Sequence, residues 1–368
     1  MLKKIIAFII CLSLFPVPAY ALSLSSESGI VICADTNQVL FGQDIHKKMG
    51  MASTTKIMTA ILALEYGDIS DTVSISQNAS LQEGSSIYLK AGDKISLHHL
   101  LYGLMLNSGN DAAMAIAEHI SKSEKDFVSL MNKKAEELEL HDTHFENPSG
   151  LPDKNHYSTA YDMAILMSYA LKNEIFSEIV ATKEYKIESE NSVTHLRNHN
   201  KLLWKYPFAT GGKTGFTKSC GRCFVSSAKK DGATLVAVTL NAPDDWNDHM
   251  RLLDYGFDKI EITEIIEKNQ ILCTRKIGAS RINILAASPV FLPLKNGKKH
   301  PVTCRIRISE TLPEDISFGT PLGYGDIYVD DFCCGSVELI SGQDLSSKKS
   351  AEFCPLLKNL IRKFALPH

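Results

Sequence analysis

The chain has 368 residues, 44% of them apolar and 22% charged, with a formal charge of -3 at neutral pH. That length accommodates about two packed domains, and the near-neutral balance excludes the basic footprint of a nucleic-acid binder. Residues 1–21 come first: "MLKK" is basic, "IIAFIICLSLF" is apolar, and "PVPAYA" ends in Ala19-Tyr20-Ala21. They read as a secretory signal cut after Ala21, since the apolar core is about half the length needed to span a bilayer. Without Lys3 and Lys4 the mature chain keeps 37 basic and 42 acidic residues, a net charge of -5.

"SGIVICADTNQVLFGQD" is two alternating apolar runs about Asp35-Thr36-Asn37, the pattern of a hairpin. Residues 53 to 180 then show helical spacing in "KIMTAILALEY", "LHHLLYGLML" and "DAAMAIAEHI". Alternation returns in "CFVSSAKKDGATLVAVTLNA", where Asp231-Gly232 is a two-residue turn. Sheet, inserted helices and returning sheet predict one layered α/β domain over 22–261, with strands from both ends of the segment. From 262 to 345, short β-prone runs separated by Gly, Pro and Asn predict a small β-rich domain. Residues 346–368 read as a polar linker followed by an amphipathic helix.

Eight cysteines remain in the mature chain, with Cys220 and Cys223 in a CxxC spacing. No set of four metal ligands accompanies them, so small buried or free thiols are the simpler reading. His195 and His199 are four apart but lack the acidic partner of a HExxH zinc motif, and His156 reads as a brace for its loop. No cofactor is called for.

The chemistry centres on "GMASTTKIMTA". On a helix, residues three apart share a face, which brings the Lys56 amine to the Ser53 hydroxyl. A hydroxyl needs a base before it attacks, and lysine serves only when burial or a second cation lowers its pKa. Ile57, Met58, Ile61, Leu62 and Leu64 predict a buried helix that dehydrates Lys56. Three other Ser-x-x-Lys spacings, at Ser226, Ser227 and Ser346, open no apolar helix and read as solvated surface. "MLNSGNDAA" adds Ser108-Gly109-Asn110 in a turn between helices, and "ATGGKTGFT" adds Lys213-Thr214-Gly215 on a strand. Ser108 can relay a proton, Asn110 can orient Lys56, and Lys213 can lower the Lys56 pKa and attract an anion. Thr214 can hold a carboxylate, and Gly215 lets a substrate backbone approach the strand edge.

The three motifs in this order resemble the set that marks penicillin-binding proteins and class A β-lactamases. The chain is similar throughout to the serine-type D-alanyl-D-alanine carboxypeptidases, low-molecular-weight penicillin-binding proteins of the bacterial envelope. "EGSSIYLKAGDKISLHHLLYGLMLNSGNDAA", "NPSGLPDKNHYSTAYDMA" and "RNHNKLLW" carry the likeness outside the motifs. The resemblance implies a β-lactamase/transpeptidase-like domain followed by a β-rich domain and a terminal amphipathic helix. It implies Ser53 as acylated nucleophile, Lys56 as base, Ser108 and Asn110 as relay pair, and Lys213 and Thr214 as carboxylate site. The backbone N–H groups of Ser53 and Phe216 would form the oxyanion hole. The implied substrate is a peptidoglycan stem peptide ending in D-Ala-D-Ala, with β-lactams as covalent inhibitors.

The chain departs from some members at Ser149 and His199, where those have histidine and arginine. A class A β-lactamase is one alternative, although the "NPSGLPDKNHYSTAYD" loop lacks that class's glutamate. A non-catalytic β-lactam sensor or wall-binding module is another. In the tail, Leu356, Leu357, Leu360, Ile361 and Phe364 fall on one helical arc with Lys358, Arg362 and Lys363 outside it. This predicts an exported enzyme held peripherally on the outer face of the cytoplasmic membrane.

Overall fold

The computed structural model describes residues 22–189, 192–277, 280–297, 300–309, 311–313, 315–345 and 360–364. The expected signal, 1–21, and the stretch 346–359 lie outside them. Strands β1 (Ser28–Cys33) and β2 (Gln38–Gln43) form the hairpin expected from their alternation, with Asn37 at φ +52° in the turn. Every residue of β1 is buried. Ile30 and Ile32 enter one core, and Val31 and Cys33 enter another on the opposite face. Neighbouring side chains point to opposite faces of a strand, so a strand buried at every position is one covered on both sides.

A helical block follows: α1 (Lys56–Tyr66), β3 (Thr72–Ser74), α2 (Gln77–Ser80), β4 (Lys94–Ser96), α3 (Leu97–Leu106), α4 (Asn110–Ser121), α5 (Glu124–Glu137), α6 (Ala160–Ala170) and α7 (Glu174–Ala181). The side chains of Ser96, Ser123, Thr159 and Asn173 accept from backbone N–H groups of the first turns of α3, α5, α6 and α7. Each thereby satisfies a donor with no partner inside its helix. The chain returns through a β5 (Glu184–Ser189) and β6 (Ser192–Arg197) hairpin, α8 (Leu202–Lys205), β7 (Ala209–Thr217), β8 (Gly221–Lys230), β9 (Ala233–Leu240) and α9 (Asp245–Phe257). The expected turn at Asp231-Gly232 joins β8 to β9, with φ of +49° and +86°. The five strands order as β2-β1-β9-β8-β7, which leaves β7 at the edge against the helical block.

A second core is built from β10 (Ile260–Ile266), β11 (Ile271–Ile277), β12 (Ser280–Ala286), β13 (Val290–Lys295), β14 (Val302–Ile308), β15 (Pro321–Val329) and β16 (Phe332–Ser341). It docks on the first hairpin: the Lys295 N–H donates to Gln38 Oε1 at 3.0 Å, and Gln38 Nε2 donates to Asp330 at 3.2 Å.

The terminal helix expected over 355–366 is corrected in part. Leu360–Phe364 is a strand, β17, antiparallel to β14 with Val302 opposite Phe364 and Ile306 opposite Leu360. A helix of about a dozen residues is marginal alone, whereas the β14 edge offers a row of backbone donors and acceptors. No helix among the described residues is long and apolar enough to cross a membrane.

Candidate active site

A tight turn, Ala52–Thr55, runs straight into α1 and places Ser53 beside Lys56. Ala52 has φ +47° and Ser108 φ +63°, a region that costs side-chain-bearing residues energy. Both lie in the candidate site. Lys56 is fully buried, as the apolar run after it predicted. Its Nζ is 3.1 Å from Ser53 Oγ, 2.7 Å from Asn110 Oδ1 and 2.6 Å from the Ser149 carbonyl oxygen. Burial, then the charge of Lys213, holds the amine well below the usual lysine range, with Asp111 opposing. A neutral amine has two N–H donors and one lone pair. Asn110 and Ser149 take the donors, and the lone pair is left for the Ser53 proton.

Lys213 reaches from β7 to the other side of the site. Its Nζ donates to Ser108 Oγ at 3.0 Å and to the Thr214 carbonyl oxygen at 2.8 Å, and burial pushes it down to about 7. It therefore carries a partial charge near neutrality, which an incoming carboxylate would complete. Gly215 has a packing role beside the one expected. A Cβ there would stand 2.9 Å from the Ser53 backbone N and 3.1 Å from Met51 O, so glycine lets β7 close on the nucleophile turn itself. Thr214 is half-buried, and the Phe216 side chain is exposed at the rim. Ser53, Ser108, Thr214, Gly215 and Phe216 share one groove of about 890 Å³. His199 also lines it, kept below its ordinary pKa by burial and by Lys213.

Residues 16–244 match the family described as D-alanyl-D-alanine carboxypeptidase, peptidase S11. Residues 261–347 match the penicillin-binding protein 5 C-terminal domain. The D-alanyl-D-alanine carboxypeptidase DacF of Bacillus subtilis is 34% identical over 353 residues, spanning 92% of this chain and 90% of that protein. This chain belongs to the peptidase S11 carboxypeptidases.

Similar relatives include DacB2 of Mycobacterium tuberculosis, 34% identical over 63% of this chain and 82% of its own. The crystal structure of the Streptomyces K15 DD-transpeptidase superposes with a TM-score of 0.61 at 32% identity, over 64% of this chain and 98% of that one. The carboxypeptidase is thus a serine-type D-Ala-D-Ala hydrolase of the cell wall, and its family binds penicillin.

Several residues of the carboxypeptidase site carry no signal in the motifs. The Asp111 carboxylate accepts from Ser86 Oγ at 2.6 Å and from the N–H groups of Ile87 and Leu89 at 3.1 Å, fastening the 83–89 loop over Asn110. Ser149 offers Lys56 its backbone carbonyl and turns its hydroxyl to Asn147 Oδ1, so histidine is not needed there for this contact. The other Ser-x-x-Lys spacings of β8 are not the solvated surface expected. Ser226 and Ser227 are fully buried, bonded to His249 Nδ1 and to the Thr210 hydroxyl. The spacing at Ser346 lies outside the described residues.

Proposed function

We propose that the carboxypeptidase removes the terminal D-alanine of a peptidoglycan stem peptide through an ester on Ser53. The observation that carries this is the buried Lys56 amine, with two acceptors holding its N–H groups and Ser53 Oγ 3.1 Å away. Ser53 Oγ attacks the carbonyl carbon of the penultimate D-alanine as its proton passes to Lys56 Nζ. The backbone N–H groups of Ser53 and Phe216 receive the negative oxygen. Collapse breaks the C–N bond, and Ser108 Oγ delivers a proton to the departing amine and recovers one from the lysine side. Lys213 and Thr214 hold the terminal carboxylate, which leaves with free D-alanine, and water then hydrolyses the ester. A β-lactam carries its scissile amide in a ring, so acylation leaves no fragment to depart and the ester persists. Intact-mass measurement after incubation with penicillin should show one adduct on the wild type and none on Ser53→Ala. An adduct surviving in the alanine variant would remove Ser53 from the role.

The carboxypeptidase is further proposed to work on the outer face of the cytoplasmic membrane, held there by its tail. Lys358, Arg362 and Lys363 interleave with Leu356, Leu357, Ile361 and Phe364, and each basic residue near an anionic surface adds roughly 1 kcal/mol of attraction. An interfacial helix and a strand on β14 are alternative uses of Leu360–Phe364, and lipid would select the first. Deleting residues 354–368 should release active enzyme from anionic vesicles. Unchanged vesicle binding together with a lowered melting temperature would make the tail a part of the second domain's sheet.

A further inference from the structure

His156 lies 101 residues beyond Thr55, on the loop that also supplies Ser149, and is buried under the nucleophile turn. The Glu146 backbone N–H donates to its Nδ1 at 3.0 Å, so the ring proton sits on Nε2. Nε2 is 2.8 Å from Thr55 Oγ1 and donates to it. That fixes the Thr55 hydroxyl, whose own proton goes to the Ala52 carbonyl oxygen at 2.8 Å. The same peptide unit carries the Ser53 N–H. A trans peptide is planar with C=O and N–H pointing in opposite directions, so a held Ala52 oxygen is an aimed Ser53 N–H. Burial pushes the imidazole down to about 4, with Asp153 opposing and His144 and Lys56 adding to the shift, so it is neutral around pH 7.

We infer that His156 is a positioning residue for catalysis, acting through the Thr55 hydroxyl and the Ala52 carbonyl to aim the Ser53 N–H at the oxyanion. The hydrogen-bonded chain restrains a turn that is strained on its own, since Ala52 sits at φ +47° and relaxation would swing its peptide plane. Preorganised donors stabilise a transition state because they need not turn when the charge develops. The brace thus belongs to the rate of acylation, not to the affinity for the ground-state peptide. The inference rests on Ser53 being the acylated residue.

The test follows the rate of penicillin adduct formation by intact mass, and kcat and KM on a D-Ala-D-Ala peptide, in four variants of the full chain. Thr55→Val keeps the shape and removes the hydroxyl, Thr55→Ser keeps the hydroxyl, His156→Ala removes the ring, and the fourth combines Thr55→Val with His156→Ala. Acylation and kcat should fall about 10- to 100-fold in Thr55→Val and in His156→Ala, with KM within about threefold of wild type. Thr55→Ser should recover at least about a third of the wild-type rate, and the double variant should be no more than about threefold slower than the slower single. Thr55→Val acylating within about twofold of wild type, or losses that multiply in the double variant, would overturn the brace. Ser53→Ala run alongside separates the two readings: a persisting adduct there dismisses Ser53 itself, whereas its absence with fast Thr55→Val dismisses only His156.

Discussion

Lys56→Met is expected to lower the acylation rate constant about a thousandfold or more, near the upper end of what one general base contributes. Methionine fills much of the buried volume of the lysine stem, so the helix stays packed while the proton acceptor is gone. Asn110 and the Ser149 carbonyl lose their donor, which offsets the stability recovered by removing a dehydrated amine. Lys56→Arg should be no better. A guanidinium does not give up its proton in a protein and cannot accept one from Ser53. Stopped-flow acylation by a chromogenic cephalosporin measures both, and Lys56→Arg retaining more than about a tenth of the wild-type rate would refute a base at this position.

Gly150→Ala should be the most damaging small substitution outside the three motifs. Gly150 has φ +87°, where a Cβ is strained, and a Cβ built there overlaps the Ala52 carbonyl and crowds Thr55 Oγ1. Both neighbours are fixed, one as backbone of the nucleophile turn and the other inside a hydrogen-bonded chain, so the turn itself must shift. A displacement of about 1 Å at reacting atoms costs roughly a hundredfold in rate, and strain of this kind costs about 1 to 3 kcal/mol of stability. Acylation slower by about a hundredfold or more with a visibly lower melting temperature is the expected pair of results. Wild-type kinetics in Gly150→Ala would show that the loop moves independently of Ser53.

The candidate site was legible because its residues cluster in three short motifs whose chemistry is local. Ser53 and Lys56 share one turn, and Lys213 to Phe216 share one strand. The residues that hold them were not legible, since each works across a large sequence separation. Asp111 bonds a loop 22 to 25 positions earlier, Lys56 bonds a carbonyl 93 positions later, and Thr55 meets His156 across 101. No periodicity encodes such pairs. The layered fold followed from the switch between period-two and helical spacing, and the hairpin turns from Asn37 and Asp231-Gly232. The tail misled because Leu360, Ile361 and Phe364 satisfy a helical arc, while the strand they form depends on an open β14 edge more than fifty residues away.

Two dehydrated lysines also tie proton traffic to folding. In an unfolded chain Lys213 would titrate near 10.4, whereas burial holds it at about 7 in the folded protein. Between those values the unfolded chain carries a proton that the folded one lacks, so this group's contribution to stability grows as pH rises through that window and is progressively lost as pH falls from about 10.4 to about 7. Lys56 pulls in the same direction. Around neutrality this pair of lysines therefore works against the fold that contains it. If Lys213 takes the peptide carboxylate as proposed, its pKa should rise on binding and the enzyme should take up protons from the medium. Substrate would then complete the charge in the site and offset the cost of keeping that site dry.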